Sequence, residues 1–360
     1  MKARVTLPVW TVVAPVVAWL LYAGVFLGLG SFYALPLAGG LLFGVLAGVH
    51  HAEVIAHRVG EPFGTLVLAV AVTIIEVALI VSLMLAGGEA ASGLARDTVF
   101  AAVMIILNGI VGICLLEGGA RFKEQTFELQ GATAALTTLV AISVLTLILP
   151  NYTVTTPGPS YSKGQLLFIA VVSLVLYGTF LLVQTVRHRD YFLPEEAEGN
   201  EEAHAPPPST RIAGLSAMLL MACLGAVVLL AKALAPSLEA GVAAIGAPQT
   251  LVGIIIAGIV LLPEGLAAVR AARADRLQTS LNLALGSALA SIGLTIPAVA
   301  IVSLVTGLTL TLGIDTKSTV LFLLSLFVSV LSLSTGRTSI LPGAVLVVVF
   351  ATYLVTAIIP

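Results

Sequence analysis

Eleven stretches of this chain stay apolar for about as long as a bilayer is thick, and that limits the fold more than any other feature. A helix needs about 20 apolar residues to cross the hydrocarbon core. The stretches cover 8–28, 34–57, 62–87, 97–117, 129–150, 163–187, 211–235, 248–270, 279–305, 318–335 and 340–359. Composition agrees: 59% of the 360 residues are hydrophobic and 9% charged, where a soluble domain carries about 25% charged residues. The expected fold is an all-α integral membrane protein with about eleven transmembrane helices. The first stretch follows Met1-Lys2-Ala3-Arg4 and superficially resembles a signal peptide. It exceeds the about 7–15 residues of such a segment and lacks a small-x-small cleavage site, so it reads as a true span. The net charge of −2 implies no nucleic-acid partner. Cys114 and Cys223 lie in apolar runs and read as small buried hydrophobes.

Charge in the connections orients the spans. With the N-terminus inside, 12 of the 16 Lys and Arg residues fall on the cytoplasmic side. Only Arg96, Lys163, Lys232 and Lys317 fall outside. The positive-inside rule therefore supports an odd number of spans, with an external C-terminus. The expected location is the bacterial cytoplasmic membrane, with the lipid bilayer as the partner. Between the sixth and seventh spans, an acidic segment from Tyr191 to His204 leads into Pro206-Pro207-Pro208. It reads as a solvated linker, because it cannot bury enough apolar surface to order itself. Its glutamates, Glu195 and Glu196 among them, are accessory candidates for attracting cations. The chain thus divides into an N-terminal helix (1–32), a first repeat (33–188), the linker (189–210) and a second repeat (211–360).

Two carboxylates stand inside apolar runs, which is costly unless they serve a purpose. Glu76 follows Thr73-Ile74-Ile75, and Glu264 lies in Leu262-Pro263-Glu264-Gly265. Gly60-Glu61-Pro62 precedes the first at nearly the distance at which Gly246-Ala247-Pro248 precedes the second. The next span in each half carries a polar residue at a matching place, Asn108-Gly109 and Ser291-Ile292-Gly293. Two five-helix units follow, and an odd number of helices per unit inserts the second upside down.

The chemistry available to such a pair is exchange. Desolvation and mutual repulsion raise the carboxyl pKa values, whereas a bound cation favours ionisation. Protons and metal then expel one another. Calcium needs six to eight oxygen ligands. Thr73, Asn108, Ser287 and Ser291 add side-chain oxygens, and Pro263 with Gly265 is expected to loosen the helix and expose carbonyls. The donor set suits Ca²⁺ best and also admits Na⁺ or K⁺; no cofactor is implied. Gly40, Gly44 and Gly48 form a small-residue stripe for close helix packing.

His50, Glu53 and His57 share a helical face with metal-cluster spacing. They lie at the end of the second span, as an interfacial face or an accessory proton sensor. Glu117 reads as interfacial, with accessory proton or cation sensing as its alternative role. No phosphate loop, nucleophile elbow or zinc spacing is present, so ATP-driven pumping and ordinary hydrolytic catalysis have no support. A passive cation channel and a metalloenzyme built on the histidine cluster stand as rival classes.

With these residues in view, nearly the whole chain resembles the cation/calcium exchanger superfamily, most closely its bacterial calcium/proton antiporters of the ChaA type. The resemblance rests on Ala52-Glu53-Val54-Ile55-Ala56 through Glu76, on Asn108-Gly109, on Leu262 to Leu266 and on Leu285 to Ser291. It implies two inverted five-helix repeats with an extra N-terminal helix, and Glu76 and Glu264 as the central cation and proton ligands. Ile74-Ile75 and Leu262-Pro263 replace the Gly-Asn that such members commonly carry before the key glutamate, and Ala290-Ser291 stands where a glutamine is often found. The expected function is a secondary antiporter exchanging cytoplasmic Ca²⁺ for external protons, with Na⁺ or K⁺ as the alternative cargo.

Overall fold

The structure, a computed structural model, describes residues 7–60, 63–193 and 208–359. Among them lie eleven apolar helices that match the expected spans one for one: α1 (Val9–Leu27), α2 (Ala34–Val59), α3 (Phe63–Gly87), α4 (Leu94–Phe122), α5 (Leu129–Tyr152), α6 (Lys163–Arg187), α7 (Thr210–Ala244), α8 (Thr250–Arg273), α9 (Leu277–Thr306), α10 (Thr316–Ser332) and α11 (Ile340–Ile358). Helix α7 runs past its expected end through Pro236, whose missing N–H removes one hydrogen bond without stopping the run. Helix α10 has only 17 residues, about 26 Å at 1.5 Å per residue, and is the shortest of the set.

Local signals explain several helix starts. Ser162 caps α6 in a reciprocal capping box with Gln165. Asp315 caps α10 by accepting from the Ser318 N–H at 2.8 Å. Helix α6 also shows how a membrane helix chooses its inner face. Leu166, Ile169, Ala170, Ser173, Tyr177 and Phe180 form its buried stripe, while Leu167, Phe168, Val171, Leu174 and Val175 are exposed. Both faces are apolar, so hydrophobicity gives no contrast; Ser173 and Tyr177 lie on the packed side, but Gly178 and Thr179 are exposed, so small or polar character does not sort the faces either.

The described helices fall into two compact units. One holds α1, α2, α3 and α7. Its packing rests on the glycine stripe: a Cβ at Gly44 would stand 3.1 Å from Val227, and one at Gly48 would stand 3.3 Å from Ile75. Gly40 abuts Leu21 and Leu230. His51, fully buried, reaches the Thr11 carbonyl at 3.0 Å through Nε2 and ties α2 to the start of α1.

The second unit holds α4, α5, α6 and α8 to α11, with α4 and α9 the most enclosed spans. Its loops sort onto two faces. On the arginine-rich face, β1 (Glu124–Thr126, after α4) pairs antiparallel with β2 (Arg337–Ser339, after α10), Gln125 opposite Thr338. Gln125 Nε2 donates to the Ala272 carbonyl and to Asp275 Oδ1, after α8. Gln278 and Asn282 donate to the carbonyls of Tyr191 and Phe192, after α6. On the opposite face, Arg96 donates to the Gly313 carbonyl, Asn151 to the Ile314 carbonyl and Lys317 to the Thr356 carbonyl. Within this unit, loops after even-numbered helices meet on one face and those after odd-numbered helices on the other. Helix α4 therefore runs oppositely to α9, α5 to α10 and α6 to α11, which is the inversion of the repeats.

Candidate cation site

Glu264 sits midway along α8 and is 9% exposed. Pro263 was expected to loosen this helix, but α8 runs unbroken from Thr250 to Arg273. The effect of the proline is narrower. Its nitrogen cannot donate, so the Ile259 carbonyl one turn earlier lacks its usual helical partner. Gly265, two residues after the proline, lets α8 approach α4 closely: a Cβ there would lie 3.2 Å from Ile110 Cδ1.

That contact falls on an irregular stretch of α4. Residues Ile105–Ile110 form a π-helical turn, in which the Val111 N–H bonds the Ile106 carbonyl five residues back. Such turns occur mostly as single insertions within α-helices, frequently at functional sites. Asn108 lies in this turn and is fully buried. Its Nδ2 donates to Ser325 Oγ at 2.9 Å and to the Met104 carbonyl at 3.3 Å, while Oδ1 receives no hydrogen bond from the described residues. An unfilled buried acceptor costs about 1–3 kcal/mol. A cation or a proton donor arriving at that oxygen would remove the cost.

Helix α9 packs against both α8 and the π-turn. Ser291, near its midpoint, is buried, and Ser287 one turn earlier is half-buried. The second unit thus gathers Glu264, Asn108, Ser287 and Ser291 on three mutually packed elements. In the first unit, Glu76 is 5% exposed midway along α3, with buried Thr73 three residues before it. Ile75 points inward against Gly48, and Ile74 is exposed. The oxygens present are carboxylate, amide and hydroxyl. Such donors suit hard cations, whereas structural zinc favours sulfur and imidazole.

The other candidates stand apart. His50 Nδ1 lies 3.7 Å from a Glu53 carboxylate oxygen, with Glu53 and His57 both exposed. Among the described residues no three His, Cys, Asp or Glu side chains form a metal-holding group. Glu117 is engaged by Arg273 through two hydrogen bonds, at 3.0 and 3.1 Å, near the arginine-rich face. Glu195 and Glu196 lie outside the described residues. Sequence reasoning missed Ser325, although its spacing from Ser329, one turn on in an otherwise apolar run, was a usable signal.

Comparison with known proteins gives a consistent result. The sequence matches the family described as sodium/calcium exchanger protein over residues 33–186 and 215–359. It is 51% identical over 332 residues to the protein y4hA of Sinorhizobium fredii, covering 92% of this chain and 90% of that one. It is 38% identical over 319 residues to the sodium-potassium/proton antiporter ChaA of Escherichia coli, covering 88% and 86%. In three dimensions it superposes on the Ca²⁺/H⁺ antiporter protein YfkE with a TM-score of 0.73 and 15% identity, covering 98% of this chain and 100% of that one.

Proposed function

The chain belongs to the sodium/calcium exchanger protein family, and from that premise we propose that it exports cytoplasmic Ca²⁺ in exchange for external protons, by competition at Glu76 and Glu264. It is a multi-pass membrane cation antiporter, whose family moves ions without a cofactor. The observation that carries the finer reading is the recurrence of a buried carboxylate midway along α3 and α8, the second helix of each repeat. Each repeat also supplies neutral oxygens on the following helix, Asn108 in α4 and Ser287 and Ser291 in α9.

Charge balance gives the mechanism. Two ionised carboxylates in a low-dielectric setting are unstable alone, two protons neutralise them, and one divalent cation neutralises them equally well. Proton-loaded and calcium-loaded forms are therefore the two electrically quiet states, and the partly loaded forms between them are disfavoured. Alternating exposure of the site then converts competition into exchange. The repeats 33–188 and 211–360 supply one glutamate each, and the acidic linker 189–210 joins them in the cytoplasm. As part of the same proposal, the excess of Lys and Arg in the even-numbered connections of the sequence is assigned to the cytoplasm, with the N-terminus inside and the C-terminus outside a bacterial inner membrane.

A second reading, Na⁺ or K⁺ for H⁺, is favoured by the similarity to a sodium-potassium/proton antiporter. A monovalent ion neutralises one carboxylate, so the other retains its proton in the loaded state. The test is a proteoliposome assay with an internal pH dye, a preset pH gradient and Ca²⁺, Na⁺, K⁺ and Mg²⁺ added separately. Gradient collapse with Ca²⁺, abolished by Glu76→Gln, is the expected result. Collapse with Na⁺ or K⁺ alone selects the second reading. Cation flux that needs no proton counterflow overturns both.

A further inference from the structure

We propose that Ser325 of α10 is a positioning residue for cation binding, fixing the Asn108 amide so that its oxygen, and not its nitrogen, faces the ion. The inference rests on the reading of Asn108 as a cation ligand, and it extends that site to a helix outside the four that carry the glutamates and their neighbouring oxygens.

The argument follows the protons. The Ser325 hydroxyl donates to the Leu321 carbonyl at 2.7 Å, one turn back in α10. Having only one proton, Oγ can then offer Asn108 only lone pairs. The amide group 2.9 Å away must present its N–H₂ to them. The Met104 carbonyl, 3.3 Å from the same nitrogen, makes the same demand, since a carbonyl only accepts. Met104 Sδ lies 3.7 Å from Nδ2 and 3.5 Å from Ser325 Oγ, and fills the remaining side with a soft acceptor. Asn108, Ser325 and Met104 are all fully buried, so no solvent competes for these bonds. With the nitrogen held on one side, Oδ1 is left on the other as a buried acceptor with no hydrogen bond from the described residues. A rotated amide would aim its oxygen at two acceptors and present N–H₂ to the ion, which repels a cation.

Groups that orient a ligand typically change metal affinity by about 10–100-fold when removed. The experiment measures half-saturating cation concentration and maximal exchange rate in proteoliposomes for wild type, Ser325→Ala, Ser325→Thr, Asn108→Ala and Asn108→Ala/Ser325→Ala, using whichever cation the wild type transports. Detergent melting curves check folding. The expected result is that Ser325→Ala raises the half-saturating concentration about tenfold with the maximal rate within about twofold. Ser325→Thr, which keeps the hydroxyl, restores affinity to within about threefold. The double variant matches Asn108→Ala, because a residue acting through Asn108 has nothing left to orient. The proposal is overturned if Ser325→Ala leaves affinity unchanged while Asn108→Ala weakens it, or if the two losses multiply. It is also overturned if Ser325→Ala lowers only the maximal rate and the melting temperature, as a packing role would. An Asn108→Ala variant with wild-type affinity refutes the ligand reading of Asn108 itself, and the positioning role falls with it.

Discussion

Replacing Glu264 with Gln is the perturbation whose size depends most directly on the proposed chemistry. Gln keeps the shape and one oxygen donor and removes only the charge and the titration. Glu264 is 9% exposed, so its charge is poorly screened. At an effective dielectric of about 20 and a carboxylate-to-ion separation of about 3 Å, each unit of ionic charge is worth roughly 5.5 kcal/mol before dehydration. If dehydration cancels about three quarters of that, about 1.4 kcal/mol survives per unit charge, a factor of about ten in affinity. The loss on Glu264→Gln is then about tenfold for Na⁺ or K⁺ and about a hundredfold for Ca²⁺. The loss in free energy for Ca²⁺ is about twice that for a monovalent ion, because the Coulomb term scales with the charge of the ion. Proton coupling changes too, since one of the two titrating groups is gone. The assay is cation-triggered collapse of a preset pH gradient in proteoliposomes, with each cation titrated from micromolar to tens of millimolar. A Glu264→Gln protein with wild-type half-saturation for every transported cation, and unchanged proton release per cation, would falsify the competition mechanism.

Other outcomes follow from the same packing and hydrogen bonding. Gly44→Val inserts two methyls where a Cβ alone already stands 3.1 Å from Val227. It should cost about 1–3 kcal/mol of stability by overpacking, read as a lower melting temperature in detergent. Alanine at His50, Glu53 and His57 together should leave exchange at saturating cation unchanged, and loss of all transport in that variant would return the histidine face to the centre of the mechanism. Glu117→Gln breaks an exposed ion pair with Arg273 and should leave both melting temperature and exchange within error. Tyr161, in the connection between α5 and α6, donates its phenol to the Leu145 carbonyl at 2.6 Å, and burial pushes its pKa up to about 12. Because the folded value lies above the ordinary 10, this contribution is complete below about pH 10 and is lost as pH rises through 12. Tyr161→Phe should flatten that part of the alkaline melting profile.

Much of the architecture was legible beforehand because a bilayer imposes a length. A helix must be about 20 apolar residues long to cross it, so runs of that size in the sequence become α1 to α11, with shifts of a few residues at most ends and the overrun of α7 to Ala244 as the largest. The positions of Glu76 and Glu264 were legible for a related reason: a carboxylate in such a run is too costly to be incidental, and both prove buried midway along their helices. The glycine stripe of α2 was equally visible, since only small residues let helices approach closely in lipid.

Which faces turn inward was another matter. On α6, Ile169 is buried and Val171 exposed, and no difference in polarity marks one from the other. Among the histidines of α2, the sequence drew attention to His50 and His57 by their spacing, yet His51 is the one enclosed, because Thr11 of another helix supplies its hydrogen-bond acceptor. Pro263 was expected to loosen α8 and sits inside a continuous helix, its consequence confined to one carbonyl. The π-turn around Asn108 has no signature in the residues that form it.

The sequence by itself therefore determined which segments become helices apolar enough to cross a membrane and where they carry buried charge, because these follow from lengths and transfer energies that each segment has on its own. Only the tertiary structure decided which oxygens lie beside which helix and which way the Asn108 amide faces. That orientation is set by the single proton of Ser325, 217 residues away in the chain, and a bond across such a separation exists only once α4 and α10 have packed.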